Sequence, residues 1–351
     1  MTGAGVVAEL TNLARAELEL CRVTSGETVV VFSDTAAKQD LAKALLGAAA
    51  WLGSDAAIVT LPSVDAAGAS PTGMRRTTVE GPLLELAKRA DVLIDATRRG
   101  FLHSTIQREI VSTGARVLRV REPVDVLARL FPTPETTQLV GQSETVLSAG
   151  DELRLQSDAG TDITIRKGDR AVQAQYGFTA DRGRWDHWGT SLVAVAPLEE
   201  EAEGTLVLAP NDIIFLSATI GVYVAERVTI RVAGGAITAI EGGRERHLLE
   251  ELLRSGDRAA HRISHVGWGC DRRADWNALE RYRGLDGGGA DVRSVRGGVV
   301  LAFGANSDMG GRNVTTVHID LAFRNTSFSV DGEQIVDAGT LALPDQESAR
   351  S

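Results

Sequence analysis

Cysteine is almost missing from this sequence. Cys21 and Cys270 are the only two, too few for a disulfide framework or a four-thiolate metal site, and both are read as buried free thiols. Aromatic residues are sparse at 5%, which argues against a surface that stacks nucleic-acid bases. Positive charge is in the minority, with 37 Lys+Arg against 47 Asp+Glu and a net charge of −10. No basic stripe offers the counterion release on which polyanion binding depends, so no nucleic-acid partner is expected. No segment approaches the roughly 18–20 uninterrupted apolar residues of a membrane span. The N-terminus lacks a basic run leading into an apolar one, and a cytoplasmic protein with no membrane partner is expected. There is no P-loop and no Gly-x-Ser-x-Gly elbow. The glycine run after Asp286 lacks the preceding strand and following helix of a phosphate cradle.

The hydrophobic content of 43% in 351 residues suffices for about two domains at roughly 150 residues each. Residues 1–132 alternate strand and helix. After an amphipathic N-terminal helix carrying Val7, Leu10, Leu13, Ala14 and Leu18, the spacing predicts strands at 28–32, 56–61, 91–95 and 116–120, separated by helices. Short apolar runs spaced by helical segments indicate βαβ units and a parallel sheet, which binds ligands beyond the C-terminal ends of its strands. Residues 133–351 read as a β-rich α+β domain. A helix at 137–149 opens it, strands at 153–156 and 162–166 follow, and Gly234-Gly235 marks a hairpin. The acidic run Glu199–Glu203 reads as a solvated loop. Sequons at Asn313 and Asn325 are read as chance matches.

Histidine is the scarcest chemical resource, with six in the chain. The segment Val317-His318-Ile319-Asp320-Leu321 alternates with the period of a strand, so His318 and Asp320 share one face with Cβ atoms about 6–7 Å apart. By itself this is equally a hydrogen-bonded pair on a solvated face. A candidate third ligand lies in Ile263-Ser264-His265-Val266-Gly267-Trp268-Gly269, where glycines allow close backbone approach. His265, His318 and Asp320 form a two-histidine, one-carboxylate set. With iron it suits a non-haem oxygenase; with zinc it suits a water-activating hydrolase. The residues alone leave that choice open.

A second cluster, Gly183-Arg184-Trp185-Asp186-His187-Trp188, is dense in functional groups for so aromatic-poor a chain. It reads either as a pocket wall for a planar polar substrate or as a loop plugging the β domain. Tyr176 lies nearby in sequence. His103 closely follows the third predicted strand, near the sheet edge where ligands sit. His247 and His261 are expected to face solvent.

The segments from Gly183 to Trp188, Glu203 to Val207, Ile263 to Gly269 and Val317 to Asp320, in this order, make the chain resemble the 2,5-dihydroxypyridine 5,6-dioxygenases over nearly its whole length. That family is similar in fold to the thermophilic two-metal aminopeptidases, and the differences discriminate. The peptidases carry a glutamate at the position of Leu192, Gly-Glu in place of Ser264-His265, and a histidine at the position of Val300. They share the pair His318 and Asp320. Two divalent ions bring about +4 of charge, which flanking carboxylates must offset, and this chain lacks them at those places. The resemblance therefore implies one Fe(II) per subunit, held by His265, His318 and Asp320. It implies an extradiol-like oxidoreductase that opens 2,5-dihydroxypyridine with O₂, inserts both oxygen atoms and gives N-formylmaleamate in nicotinate degradation. It also implies a homo-oligomer. His103 and His187 are the acid–base candidates, because imidazole titrates near neutrality. Tyr176, Arg184 and Trp185 are the candidates for orienting the ring. The alternative is a metal-dependent hydrolase of the aminopeptidase type.

Overall fold

The computed structural model describes residues 3–63, 79–101, 104–216, 220–282 and 289–343. Among these, the chain forms two compact units. One contains residues up to Pro132 together with Tyr176–Thr190, and the other contains Thr133–Gln175 and the chain from Ser191 onward.

The first unit is built on a parallel sheet. Its strands lie in the order Asp55–Leu61, Thr28–Asp34, Val92–Asp95, Arg116–Arg119 and Trp185–His187. Val29, Val30, Val31 and Phe32 are all fully buried, as expected of a central strand covered on both faces. The helix Gln39–Trp51 buries a face rich in alanine, namely Ala42, Ala44, Ala48 and Ala49 beside Leu41 and Leu45. Small side chains let it approach the sheet closely. The N-terminal helix Gly3–Leu20 buries Leu10, Ala14 and Leu18 in the same core; Val7 is a residue whose side chain lies outside the described set.

Charged groups fix the C-terminal edge of this sheet. Arg119 pairs with Asp95 at 2.9 Å, and both side chains are buried. The Asp95 carboxylate also accepts from the Thr97 amide and hydroxyl and from the Phe101 amide. Gly100 completes the turn with φ of +66°, and a Cβ there would lie 2.8 Å from the Arg119 guanidinium carbon.

The segment Arg184–Trp188 departs from expectation. It is neither a plug nor a loop of the β-rich part; Trp185–His187 is the fifth strand of the parallel sheet, beside Arg116–Arg119. The local reason is Asp186. Its carboxylate accepts from the amides of Tyr176, Gly177 and His187 at 2.9, 3.2 and 2.7 Å, which closes the chain into a turn ahead of the strand.

The second unit contains two antiparallel sheets. The larger runs Ala236–Gly242, Val228–Ala233, Ala202–Leu208, Asp162–Arg166, Glu152–Gln156, Ser327–Val330, Glu333–Asp337 and Thr340–Leu341. The expected hairpin at Gly234-Gly235 joins its first two strands. The smaller sheet carries His265, His318 and Asp320 and runs Ile220–Tyr223, Ile213–Leu216, His318–Phe323, Val299–Gly304, Ile263–Gly269, Leu192–Val195 and Val172–Gln175. The helix Pro134–Ala149 starts at a capping box between Thr133 and Thr136 and packs on the strands Val172–Gln175 and Leu192–Val195. Trp268 ties these layers together. Its ring meets Phe328 of the larger sheet edge-on at 4.9 Å, and its indole N–H donates to Ser143 Oγ of the helix at 3.1 Å. Gly267 is required beside it, because a Cβ there would run into the Val193 carbonyl of the next strand.

Two further expectations change. Glu199 is not simply a solvated residue; Arg170 reaches both its carboxylate oxygens at 2.8 Å and the Arg312 amide donates to it at 2.6 Å. The chain then enters a strand at Ala202. His261 is half-buried, whereas His247 is exposed. Both cysteines are free and buried, and burial pushes the Cys270 thiol up to about 12, which leaves it inert. The Asn313 side chain is buried and donates to the Ile263 carbonyl. No described helix is long and apolar enough to cross a membrane.

Burial pushes the Asp186 carboxyl up to about 7, against the three amides that would lower it. Burial and then the Asp186 charge also hold Glu17, on the N-terminal helix, well above the usual carboxylate range. A carboxyl whose folded pKa is raised contributes stability below its unfolded value of about 4 and loses that contribution as pH rises through the folded value. Asp186→Asn is therefore expected to flatten the decline in thermal stability between about pH 4 and pH 7. Parallel melting-temperature profiles for the variant and the wild type would contradict this.

Candidate metal centre

Four neighbouring strands of the smaller sheet build the site. His265 lies opposite Ala302, Ala302 lies opposite Asp320, and Asp320 lies opposite Phe215. Residues directly opposite in an antiparallel sheet project to the same face, so these four form one row across it. His318 enters from two residues earlier on the strand of Asp320, where the alternation returns it to that face. All three candidate ligands are buried, at 4%, 3% and 1% exposure for His265, His318 and Asp320. That excludes a solvated His–Asp pair.

The distances specify what the cluster can hold. Nε2 of His265 and Nε2 of His318 lie 3.3 and 3.4 Å from the same oxygen, Asp320 Oδ1. The imidazole rings are 5.2 Å apart and tilted by 30°. Asp320 Oδ1 nevertheless lacks a hydrogen bond among the described residues; the ring N–H directions do not suit one. A buried carboxylate oxygen without a donor costs several kcal/mol. Donors bound to one cation at about 2.1 Å and at right angles lie about 3 Å apart, close to the separations here. Among the described residues, these three form the group of histidine, cysteine and carboxylate side chains close enough to share an ion.

Surrounding groups prepare the donors. His318 Nδ1 lies 3.0 Å from the Ala305 carbonyl, which accepts only if that nitrogen carries the proton. Nε2 then presents its lone pair inward, the usual second-sphere arrangement of a ligating histidine. Ser264 supports the same carbonyl, its hydroxyl donating to Ala305 O at 2.6 Å. Asn306 holds Ser264 in turn, through its side-chain amide and the Ser264 carbonyl. Burial holds His265 below its ordinary value, only partly offset by Asp320, so its imidazole is neutral and able to ligate. A divalent ion here would meet two neutral imidazoles and one carboxylate, leaving a net charge of +1.

The two positions at which the resemblance to the peptidases would place further ligands are apolar and buried. Leu192 and Val300 are buried at 3% and 0% exposure in the same sheet. Ala302, between His265 and Asp320, offers only a methyl group.

The other site candidates belong to the first unit or fall outside the description. His103 lies outside the described residues. His187 is buried at the C-terminal end of the fifth parallel strand, opposite Arg119. Arg184 stacks over the Tyr176 ring at 5.6 Å, and Trp185 is buried. Sequence reasoning missed Ser264, Ala305 and Arg293, whose Nη1 lies 3.6 Å from Asp320 Oδ2. A serine, a backbone carbonyl and an arginine carry no spacing signal of their own, and their places follow only from how distant strands and the helix Gly289–Ser294 come together.

The profile of the family described as 2,5-dihydroxypyridine 5,6-dioxygenase (NicX) matches residues 9–343. A Pseudomonas putida protein named 2,5-dihydroxypyridine 5,6-dioxygenase is 33% identical over 350 residues, covering 98% of this chain and 99% of its own. A solved structure of a 2,5-dihydroxypyridine dioxygenase from Pseudomonas putida KT2440 superposes with a TM-score of 0.87 at 32% identity, covering 97% of this chain and 99% of that one. Wild-type AmpT from Thermus thermophilus superposes with a TM-score of 0.59 at 15% identity, covering 95% and 99%, a likeness of fold alone.

His318→Ala is expected to abolish stoichiometric binding of a divalent metal, read by metal analysis after anaerobic loading. Ser264→Ala, which withdraws support from Ala305, should weaken metal affinity by roughly tenfold. Full metal retention in His318→Ala would remove that residue from the ligand set.

Proposed function

The chain belongs to the 2,5-dihydroxypyridine 5,6-dioxygenase family, and from that premise we propose that it is an Fe(II)-dependent dioxygenase that opens 2,5-dihydroxypyridine between C5 and C6 to give N-formylmaleamate. The observation that carries the reading is the convergence of His265, His318 and Asp320 on one buried point. Substrate C₅H₅NO₂ and O₂ together account for every atom of the product C₅H₅NO₄, so the reaction needs no external reductant.

Bound Fe(II) would supply a redox-active centre that can hold the ring hydroxyl and O₂ side by side. His265 and His318 would hold it as neutral donors, and Asp320 would add the single negative charge. The methyl of Ala302 adds no donor beside them, so these residues would leave a bound ion open to substrate and O₂. Burial of all three ligands excludes bulk water, which strengthens every charge interaction at the site.

Proton movements accompany the loss of the ring hydroxyl proton and the opening of the ring. We assign them to His103 and His187, because a neutral imidazole can accept a proton near pH 7 and return it. Tyr176, Arg184 and Trp185 are assigned to orienting the planar heterocycle. The stacked Arg184–Tyr176 pair supports this, as it offers an aromatic face beside a fixed positive charge.

A hydrolase of the aminopeptidase type has less in its favour. Leu192 and Val300 stand where carboxylate and imidazole would be needed for a second ion.

Anaerobically loaded Fe(II) protein is expected to consume one O₂ per 2,5-dihydroxypyridine added, and the Zn(II)-loaded protein none. His187→Ala should lower kcat by roughly 10²-fold with iron content unchanged. An iron-loaded protein that takes up no O₂ with this substrate would overturn the substrate assignment. Wild-type turnover in His187→Ala would remove that residue from proton transfer.

A further inference from the structure

This inference rests on the iron-centre reading above and concerns the oxygen of Asp320 that the two histidines leave alone. Both imidazole Nε2 atoms face Oδ1. The other oxygen, Oδ2, faces the guanidinium of Arg293, whose Nη1 lies 3.6 Å away. The pair is buried, with side-chain exposures of 10% for Arg293 and 2% for Asp320. A guanidinium keeps its proton under all ordinary conditions, so Oδ2 sees a permanent positive charge in a low-dielectric setting, where attraction at this range is strong.

The position of Arg293 is set on both sides. Its guanidinium carbon lies over the Phe215 ring, 5.8 Å from the centroid. Phe215 is the direct strand partner of Asp320, so the ring beneath the guanidinium and the carboxylate beside it are fixed to each other by the sheet. Arg293 itself comes from the buried helix Gly289–Ser294. Backbone and side-chain bonds hold that helix: the Asp271 amide donates to the Ser294 carbonyl at 2.7 Å, the Ser191 amide to Ser294 Oγ at 3.0 Å, and the Asp275 amide to the Asp291 carboxylate at 2.7 Å.

A carboxylate can give a metal ion one oxygen or both. We propose that Arg293 is a positioning residue that holds Oδ2 of Asp320 away from the metal, so that Asp320 ligates through Oδ1 alone. The consequence lies in the open positions. Two histidines and a monodentate carboxylate leave half of an octahedron free for a hydroxylated heterocycle and O₂. A carboxylate that swings in with both oxygens takes one of those places. Sequence gives no hint of this role, because Arg293 is 27 residues from Asp320 by their numbers and follows a glycine-rich stretch.

The test uses the full chain loaded anaerobically with Fe(II), as wild type, Arg293→Lys and Arg293→Gln. Three readouts apply: iron per chain, the crystallographic Oδ2–iron contact, and the affinity for nitric oxide as an O₂ surrogate measured by electron paramagnetic resonance. All three proteins are expected to bind one iron. Wild type and Arg293→Lys should show Oδ1 alone on the metal, because an ammonium preserves the positive charge. Arg293→Gln should show both oxygens on the metal and about tenfold weaker nitric oxide binding. One-oxygen ligation and unchanged nitric oxide affinity in Arg293→Gln would overturn the inference while leaving the iron centre intact. Should Arg293→Gln fail to fold, wild type and Arg293→Lys still decide: two-oxygen ligation in the wild type overturns the role. A wild type that binds no iron at His265, His318 and Asp320 defeats the iron-centre reading and this inference together.

Discussion

A single carboxylate oxygen organises the second unit. Asp320 Oδ1 is buried and, among the described residues, without a hydrogen bond, and two imidazole nitrogens stand within 3.4 Å of it. Such an atom is costly in a protein interior unless something compensates. The surrounding structure makes sense as a means of holding that oxygen and its two neighbours in place for a cation. The strands that carry them are central in a seven-stranded sheet, where hydrogen bonds on both sides leave little freedom. The second sphere, from Ser264 through Ala305 to His318, determines which ring nitrogen faces inward.

The same sheet shows how few positions define the site within the fold. The likeness to AmpT extends over 95% of this chain at only 15% identity, so the architecture is compatible with very different sequences. What defines the site is a handful of side chains in one row. His265, Ala302, Asp320 and Phe215 stand side by side on four strands, and each position could carry a donor or withhold one. Here two of the four supply candidate donors, one supplies a methyl, and one supplies a ring beneath a guanidinium.

Much of this was legible in the sequence because it depends on period and turn chemistry. The alternation of Val317 to Leu321 placed His318 and Asp320 on one face, and Gly234-Gly235 marked its hairpin. The apolar run Thr28 to Phe32 announced a strand, and the structure buries Val29 to Phe32 on both faces. The parts that were not legible depend on contacts between distant segments. Arg184 to Trp188 adds a fifth strand to a sheet whose other members end by Arg119, and no local pattern signals a return across so long an insertion. Glu199 looks solvated within an acidic run, yet Arg170 from elsewhere in the unit meets it. Arg293 has meaning only once its helix is laid beside Asp320. The likeness to the dioxygenase family was carried by four ordered motifs rather than by any one of them, since His-x-Asp on a strand fits several chemistries.

The central claim is that the buried triad serves ring opening by O₂ and not water activation. Mass spectrometry of the product formed from 2,5-dihydroxypyridine under ¹⁸O₂ in unlabelled water tests it most directly. The account predicts two labelled oxygen atoms in the ring-opened product, after allowance for exchange of the formyl oxygen with water. One labelled atom on an intact ring would point to hydroxylation, and a ring-opened product whose new oxygens all come from water would point to hydrolysis; either result would contradict the assignment.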